Sequence, residues 1–321
     1  MSFTIILPVY GYSPWLGEAV ESVIQQVSSD WELLIADDGS DDAAKLWLQN
    51  RLEKLEKNYK IKWIQRPFNL GLFKNLNQAI QESSTDWILL LCSDDKLEPS
   101  AITSLQQLRQ KWGGASLILS TFESINADGS LRPPDNSQHH DQLLLNTGLI
   151  APEQMLPGLL RLGSINGNLT GMAFSKEHWL QCGPFREDWR HAADWEWLIR
   201  ASETKPVLLN RNPIASVRTH DEQLSVRNRK SGHECQEVAI VVSSLLKHQA
   251  LNGEPHKREW ASHVMQFQLW NLLKGARQGN WSQLGEGIKA IHKSSGIRQT
   301  SWSLLRWLPE RWKRVMKPSA H

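Results

Sequence analysis

The 321-residue sequence predicts an α/β fold, with a mainly parallel central sheet flanked by helices. Two observations predict it. Short apolar runs alternate with helix-length amphipathic stretches through the first hundred residues. The connections between those runs are long enough for crossovers, which parallel strands require. In such sheets ligands sit beyond the carboxyl ends of the strands, so the polar residues that close each run are candidate site residues.

The first run, Phe3–Val9, ends at Pro8, Tyr10 and Gly11. Ser13 has the character of an N-cap and Pro14 that of a first helical residue. Leu16, Val20, Val23, Ile24 and Val27 then follow at helical spacing. Residues 31–36 read as a second strand, closed by Asp37-Asp38-Gly39-Ser40. A helix is expected over 42–57, through Leu46, Leu48, Leu52 and Leu55, with a third strand at 61–64 and a helix at 72–82. Residues 87–92 form a fourth strand that ends in Ser93-Asp94-Asp95. Beyond it the sequence predicts a helix from Pro99 to about 112, a strand at 116–122 and a long polar loop at 126–146. Helices near 153–162 and 194–202 and strands near 169–174, 206–209 and 214–218 follow. After about residue 226 the pattern is helical and rich in tryptophan. The expected division is therefore 1–226 for the α/β part, with halves at 1–125 and 126–226, and 227–321 for a helical extension.

Composition excludes several function classes. Net charge is +2, from 36 basic and 34 acidic residues, a balance that gives no support to a nucleic-acid-coating role. Three widely spaced cysteines form no zinc or disulfide framework and fit a reducing compartment. The first residues lack a signal-peptide pattern and no run reaches the ~18 apolar residues of a spanning helix, so a cytoplasmic protein is expected. No Gly-x-Gly-x-x-Gly follows the first strand and no Gly-Lys-Ser/Thr loop occurs, which argues against dinucleotide and P-loop enzymes.

Each polar segment has a structural and a chemical reading. Asp94-Asp95 is a solvated turn or a site for a hard divalent cation, since adjacent carboxylates repel unless a cation joins them. Asp37–Asp41 is a turn and helix cap, or it offers a carboxylate to the ring N–H of a base. Asn69, Gly71 and Asn77 form a turn entering a helix. Asp194 begins a helix between large apolar rings, as a cap or as an acid of raised pKa. His220, after Arg218, is a surface histidine or a ligand.

In this order and spacing, Pro8-Val9-Tyr10, Asp37–Ser40, Asn69-x-Gly71 with Asn77, Asp94-Asp95 with Pro99, Gly183-x-Phe185-x-Glu187 and Ala193-Asp194 resemble the family-2 glycosyltransferases of the GT-A fold. The resemblance covers about residues 2–226. It implies an inverting transfer of a sugar from a nucleotide-diphosphate donor, a UDP-sugar favoured, to a hydroxyl of a glycan or lipid-linked acceptor in cell-surface polysaccharide synthesis. Asp194 would be the catalytic base. Asp95, Asp94 and His220 would hold Mn²⁺ or Mg²⁺. Pro8, Tyr10, Asp38, Asn69, Gly71, Asp94 and Arg218 would line the donor site, and Trp189 or Trp195 would stack on the acceptor. Residues 126–146 and 164–174 are expected to choose that acceptor. The pattern departs from the family at Cys92, where the metal motif has its first acid, and at Ala193, where a Glu precedes the base. Those departures motivate a rival reading as a non-catalytic nucleotide-sugar-binding module; a nucleotidyltransferase shares the metal logic. Residues 297–321 carry six basic residues against Glu310, interleaved with Trp302, Leu305, Trp307, Leu308 and Trp312. Such a helix either packs back on the protein or lies on an anionic membrane, at the inner face of the plasma membrane.

Overall fold

A computed structural model of the chain describes residues 2–133, 137–165, 168–224, 226, 228 and 233–316, with side chains at 137, 138 and 310–316 left aside. The elements of the first half are β1 (Phe3–Val9), α1 (Leu16–Ile24), β2 (Trp31–Asp37), α2 (Asp42–Leu55), β3 (Ile61–Gln65), α3 (Leu72–Glu82) and β4 (Trp87–Leu90). There follow β5 (Lys96–Leu97), α4 (Ala101–Lys111), β6 (Leu117–Ser120), β7 (Glu123–Asn126), α5 (Ser137–Asp141) and β8 (Gly148–Ile150). After these come α6 (Pro152–Leu162), β9 (Ala173–Ser175), α7 (Lys176–Cys182), α8 (Ala193–Ser202), β10 (Val207–Asn210) and β11 (Ala215–Thr219).

The main sheet runs β3-β2-β1-β4-β9-β6-β10-β8. Its first four strands are parallel, in register Ile5↔Leu33 and Ile5↔Leu89. Beyond β4 the sheet is mixed: β9 is antiparallel to both β4 and β6, and β8 is antiparallel to β10. β1 and β4 are buried almost throughout, which is why they read as continuous apolar runs rather than alternating ones. Leu16, Ala19, Val20 and Val23 of α1, Leu48 and Leu52 of α2, and Ile102 and Leu105 of α4 close the core against the sheet.

Several local expectations are corrected. Trp15, not Ser13, occupies the N-cap of α1; the Ser13 carbonyl accepts from Leu16 N–H in a preceding turn. Val27 lies beyond that helix and is exposed, as is Leu46 on the outer side of α2. The polar stretch 126–146 is not all loop, since it contains α5 and an Ile125↔Leu131 bridge. A second sheet, β5-β11-β7, was not expected. Its strands are two to five residues long, too short to show a period of two.

The chain forms two compact units. One comprises residues 1–155, 165–189 and 196–221; the other comprises 156–164, 190–195 and 222–321. The first unit closes at residue 221, and two short segments that interrupt it, 156–164 and 190–195, belong to the helical unit. That unit is built on helices His233–Lys247, Lys257–Arg277, Trp281–Ser294 and Ile297–Met316. Its interior includes Val241, Val242, Leu245, Ala261, Met265, Leu269 and Ile291. No helix among the described residues is long and apolar enough to cross a membrane.

Candidate active site

Parallel β1, β2 and β4 bring their carboxyl ends, and so Tyr10, Asp38 and the Cys92–Asp95 segment, to one edge of the sheet. At the end of β2 three carboxylates do three different things. Asp37 accepts Ser40 N–H at 2.9 Å, and its second oxygen is buried without a partner. Asp41 caps α2 through Ala44 N–H at 2.9 Å. Asp38 is buried and accepts the backbone N–H groups of Leu70 (2.7 Å) and Gly71 (3.0 Å), so it draws the loop after β3 onto the end of β2. Burial raises its pKa, opposed by those two N–H donors.

Gly39 is required at this crossing. Its φ is +74°, and a Cβ there would lie 2.5 Å from the Phe68 carbonyl carbon. Gly71, also at positive φ, is the N-cap of α3, and its N–H additionally meets the Asn69 carboxamide oxygen at 2.9 Å. Asn75 and Asn77 work inside the fold. Asn75 bridges Arg66 and the Ala36 carbonyl, and Asn77 pairs both ways with the Phe185 backbone. Tyr10 is 62% exposed, Asn69 is exposed and Pro8 is half-buried, leaving these three accessible along the same edge.

Asp94 and Asp95 behave differently. Asp95 is 1% exposed; its Oδ1 accepts Arg218 N–H at 2.8 Å, and its Oδ2 accepts Thr170 Oγ1 (2.5 Å) and Asn168 Nδ2 (3.0 Å). Burial, with the neighbouring Asp94 charge, pushes its pKa up to about 7, against the pull of those donors. Asp94 is half-buried, and its Oδ2 lies 3.0 Å from His220 Nε2. The His220 ring lies against Trp15, centroids 4.2 Å apart, and its Nδ1 is buried without a partner. Ligand atoms of Cys92, Asp94 and Asp95 all lie within 4.8 Å of one another. Burial beside the two acids raises the Cys92 thiol well above its ordinary pKa, so it remains a neutral thiol facing Asn168.

Arg218, expected to add charge toward a diphosphate, points into the fold. It is 1% exposed and donates to the Asp94 and Ala127 carbonyls, each at 2.9 Å, and to Glu18 at 2.8 Å. Its guanidinium thus orders the chain around Asp94 instead of facing outward. Asn168 and Thr170 fall in the segment expected to choose the acceptor, yet both hold Asp95. These two, with Trp15 and Glu18, are the site residues that sequence reasoning missed; none stands in a motif, and only folding brings them to Asp95 and Arg218.

Asp194 belongs to the helical unit. It is half-buried at the start of α8, and desolvation raises its pKa, opposed by the Trp195 backbone and His191 and assisted by Glu237. Trp189 and Trp195 are 7% and 4% exposed, so neither presents an open face for stacking on a sugar. Trp197 packs between Phe174 and Phe185 in the core.

The paired acids and the imidazole are donor types that a hard divalent cation accepts, and they lie at the strand ends of an α/β fold. The chain belongs to glycosyl transferase family 2, whose sequence model matches residues 4–171. It is 33% identical over 100 residues to a teichoic acid poly(glycerol phosphate) polymerase of Staphylococcus epidermidis, an alignment covering 31% of this chain and 14% of that protein. It is 25% identical over 259 residues to a chondroitin synthase of Pasteurella multocida, covering 78% of this chain and 24% of the synthase. The chain therefore spans a quarter or less of these relatives' lengths. Among solved structures it resembles S. aureus TarS 1-349 in complex with UDP-GlcNAc, with TM-score 0.68 at 14% identity over 97% of this chain and 92% of that one. A mannosyltransferase from Pyrobaculum calidifontis in complex with GDP-Man and Mn²⁺ follows at TM-score 0.57 and 12% identity, over 97% and 86% of the two chains. These likenesses establish the GT-A fold.

Proposed function

We propose that the chain is an inverting glycosyltransferase that moves a sugar from a nucleoside-diphosphate donor, UDP favoured, to a hydroxyl of a glycan or lipid-linked acceptor in cell-surface polysaccharide synthesis. The observation that carries this reading is the Asp94–His220 pair set against buried Asp95 at the strand edge that also holds Asp38. Asp94, His220 and Asp95 are the residues assigned to Mg²⁺ or Mn²⁺. Their donor set of carboxylates and an imidazole suits such an ion, and the nearby Arg218 guanidinium is spent on Glu18 and on backbone carbonyls. When bound, the cation supplies charge neutralisation for the departing diphosphate.

The chain's own residues do the rest. Asp38 fixes the Leu70–Gly71 loop, and each of its oxygens keeps a second lone pair for a base N–H. Tyr10, Pro8, Asn69 and Gly71 complete the nucleoside side. Asp194 takes the proton of the acceptor hydroxyl as that oxygen bonds to the anomeric carbon and the sugar–phosphate bond breaks. Such base catalysis contributes ~10²–10⁴-fold. The desolvation of Asp194 supports this role, since a base must not be too weak at working pH.

The partners follow from the same reading. On helix Ile297–Met316, Arg298, Trp302, Leu305 and Arg306 are exposed at spacings that share one face, while Thr300 and Leu304 are buried. That face, together with the basic sequence continuing into residues outside the described region, fits peripheral contact with an anionic leaflet from the cytoplasmic side. A thermal-shift screen of UDP-GlcNAc, UDP-glucose and GDP-mannose with Mn²⁺, Mg²⁺ or EDTA tests the donor and metal assignments. Release of nucleoside diphosphate from a stabilising donor is expected. Pyrophosphate release would indicate a nucleotidyltransferase, and no turnover of any donor would favour the binding-module reading.

A further inference from the structure

Within the helical unit, helix His233–Lys247 reaches the segment that leads into Asp194. Glu237 is buried, and its carboxylate accepts three backbone N–H groups, from Arg190, His191 and Ala192, each at 2.8 Å. These amides immediately precede α8, whose first two residues are Ala193 and Asp194. The carboxylate pairs amides that no helix hydrogen bond reaches and lies just before the helix start, where the partial positive charge of α8 favours an anion. Glu234, one turn earlier on the same helix, accepts Gln268 Nε2 at 2.8 Å and lies 4.0 Å from His191 Nε2. Asn228 donates to the Arg190 carbonyl. One helix face thus grips residues 190–192 by backbone and side chain together.

We propose that Glu237 is the positioning residue for Asp194, holding the start of α8 so that the base is presented in one orientation. This rests on the reading of Asp194 as the base. It gives the C-terminal helices a part in catalysis, because the carboxylate that braces the base comes from an element outside the family-matched residues 4–171. It also bears on the departure at position 193. Ala193 is fully buried and carries no acid, and the carboxylate whose charge acts on the base comes from Glu237 instead.

Glu237 raises the pKa of Asp194 and His191 lowers it. A base works only when ionised, so activity is lost as pH falls through that pKa. Neutralising Glu237 should move the acid limb of the pH–rate profile to lower pH.

The test uses the full chain, the sugar nucleotide among UDP-GlcNAc, UDP-glucose and GDP-mannose that turns over fastest, and release of nucleoside diphosphate as the readout. E237Q should bind donor normally, lose about 10–10²-fold in kcat, the cost of a base misplaced by up to an ångström, and shift its acid limb downward. E237D keeps the charge but withdraws it by one methylene, and should lose kcat with the acid limb unmoved. An unmoved limb in E237Q, or wild-type kcat in both variants, overturns the proposal. So does unfolding of both variants while D194N stays folded, because Glu237 would then hold only the fold. D194N separates the two readings: full turnover by D194N removes the base itself, whereas a dead D194N with unaffected Glu237 variants removes only the positioning role.

Discussion

The replacement Asp95→Asn should change the pH dependence of stability in a direction opposite to that of most carboxylate substitutions. Asp95 is buried beside Asp94, and its pKa is raised from 3.8 to about 7. Between those values the unfolded chain loses the proton and the native state keeps it, so native stability falls as pH rises from about 4 and levels off above about 7. At 1.36 kcal/mol per pKa unit the full loss is roughly 4 kcal/mol, and sharing of the charge with Asp94 reduces the expected figure to about 2–4 kcal/mol. Asn carries no such charge. It keeps an acceptor for Arg218 N–H but disturbs the contacts with Thr170 and Asn168, at roughly 1 kcal/mol each. In EDTA, urea unfolding should therefore find the variant less stable than wild type near pH 4.5 and equal or more stable near pH 8. Mn²⁺ added at pH 8 should stabilise wild type well above the variant. A difference between the two proteins that stays constant with pH, or one that grows against the variant as pH rises, would refute the electrostatic account of Asp95.

Three further outcomes follow from the same structure. Asp194→Asn should retain the donor-induced thermal shift and lose ~10²–10⁴-fold in turnover; near-normal transfer would remove Asp194 as the base. Gly39→Ala places a methyl group against the Phe68–Asn69 backbone at positive φ and should cost on the order of 1–3 kcal/mol in urea unfolding while weakening donor binding, because the loop held by Asp38 must move. Replacing both Trp302 and Leu305 by Ser should leave thermal stability near wild type, since both are largely exposed, and should reduce pelleting with phosphatidylserine vesicles; equal pelleting would rule out that helix face as the membrane contact.

Much of the parallel half was legible because each of its signals is local. The apolar runs of β1, β2 and β4 are buried on both faces, and amphipathic α3 has the helical period, so composition and spacing were enough. The acids that close those strands stood out for the same reason, since strand direction alone decides which end of the sheet they occupy. Of the second sheet only β11 was legible, as the expected strand at 214–218; β5 and β7, two and four residues long, carry no period, and the pairing depends on partners about a hundred residues away. α5 was hidden in a polar stretch where no apolar stripe marks a helix.

The sequence by itself determined which residue types lie at the strand ends, Asp38, Asp94, Asp95 and His220, and which acid opens α8, Asp194. Tertiary structure decided what each of them touches. It buried Asp95 under Thr170, Asn168 and Arg218 N–H while pairing the more open Asp94 with His220. It turned Arg218 inward to Glu18 and laid Glu237 under the helix that carries Asp194. The physical reason is the same each time. A carboxylate's role depends on which donors and charges lie within about 3–4 Å of it, and those neighbours come from sequence positions that no spacing rule connects.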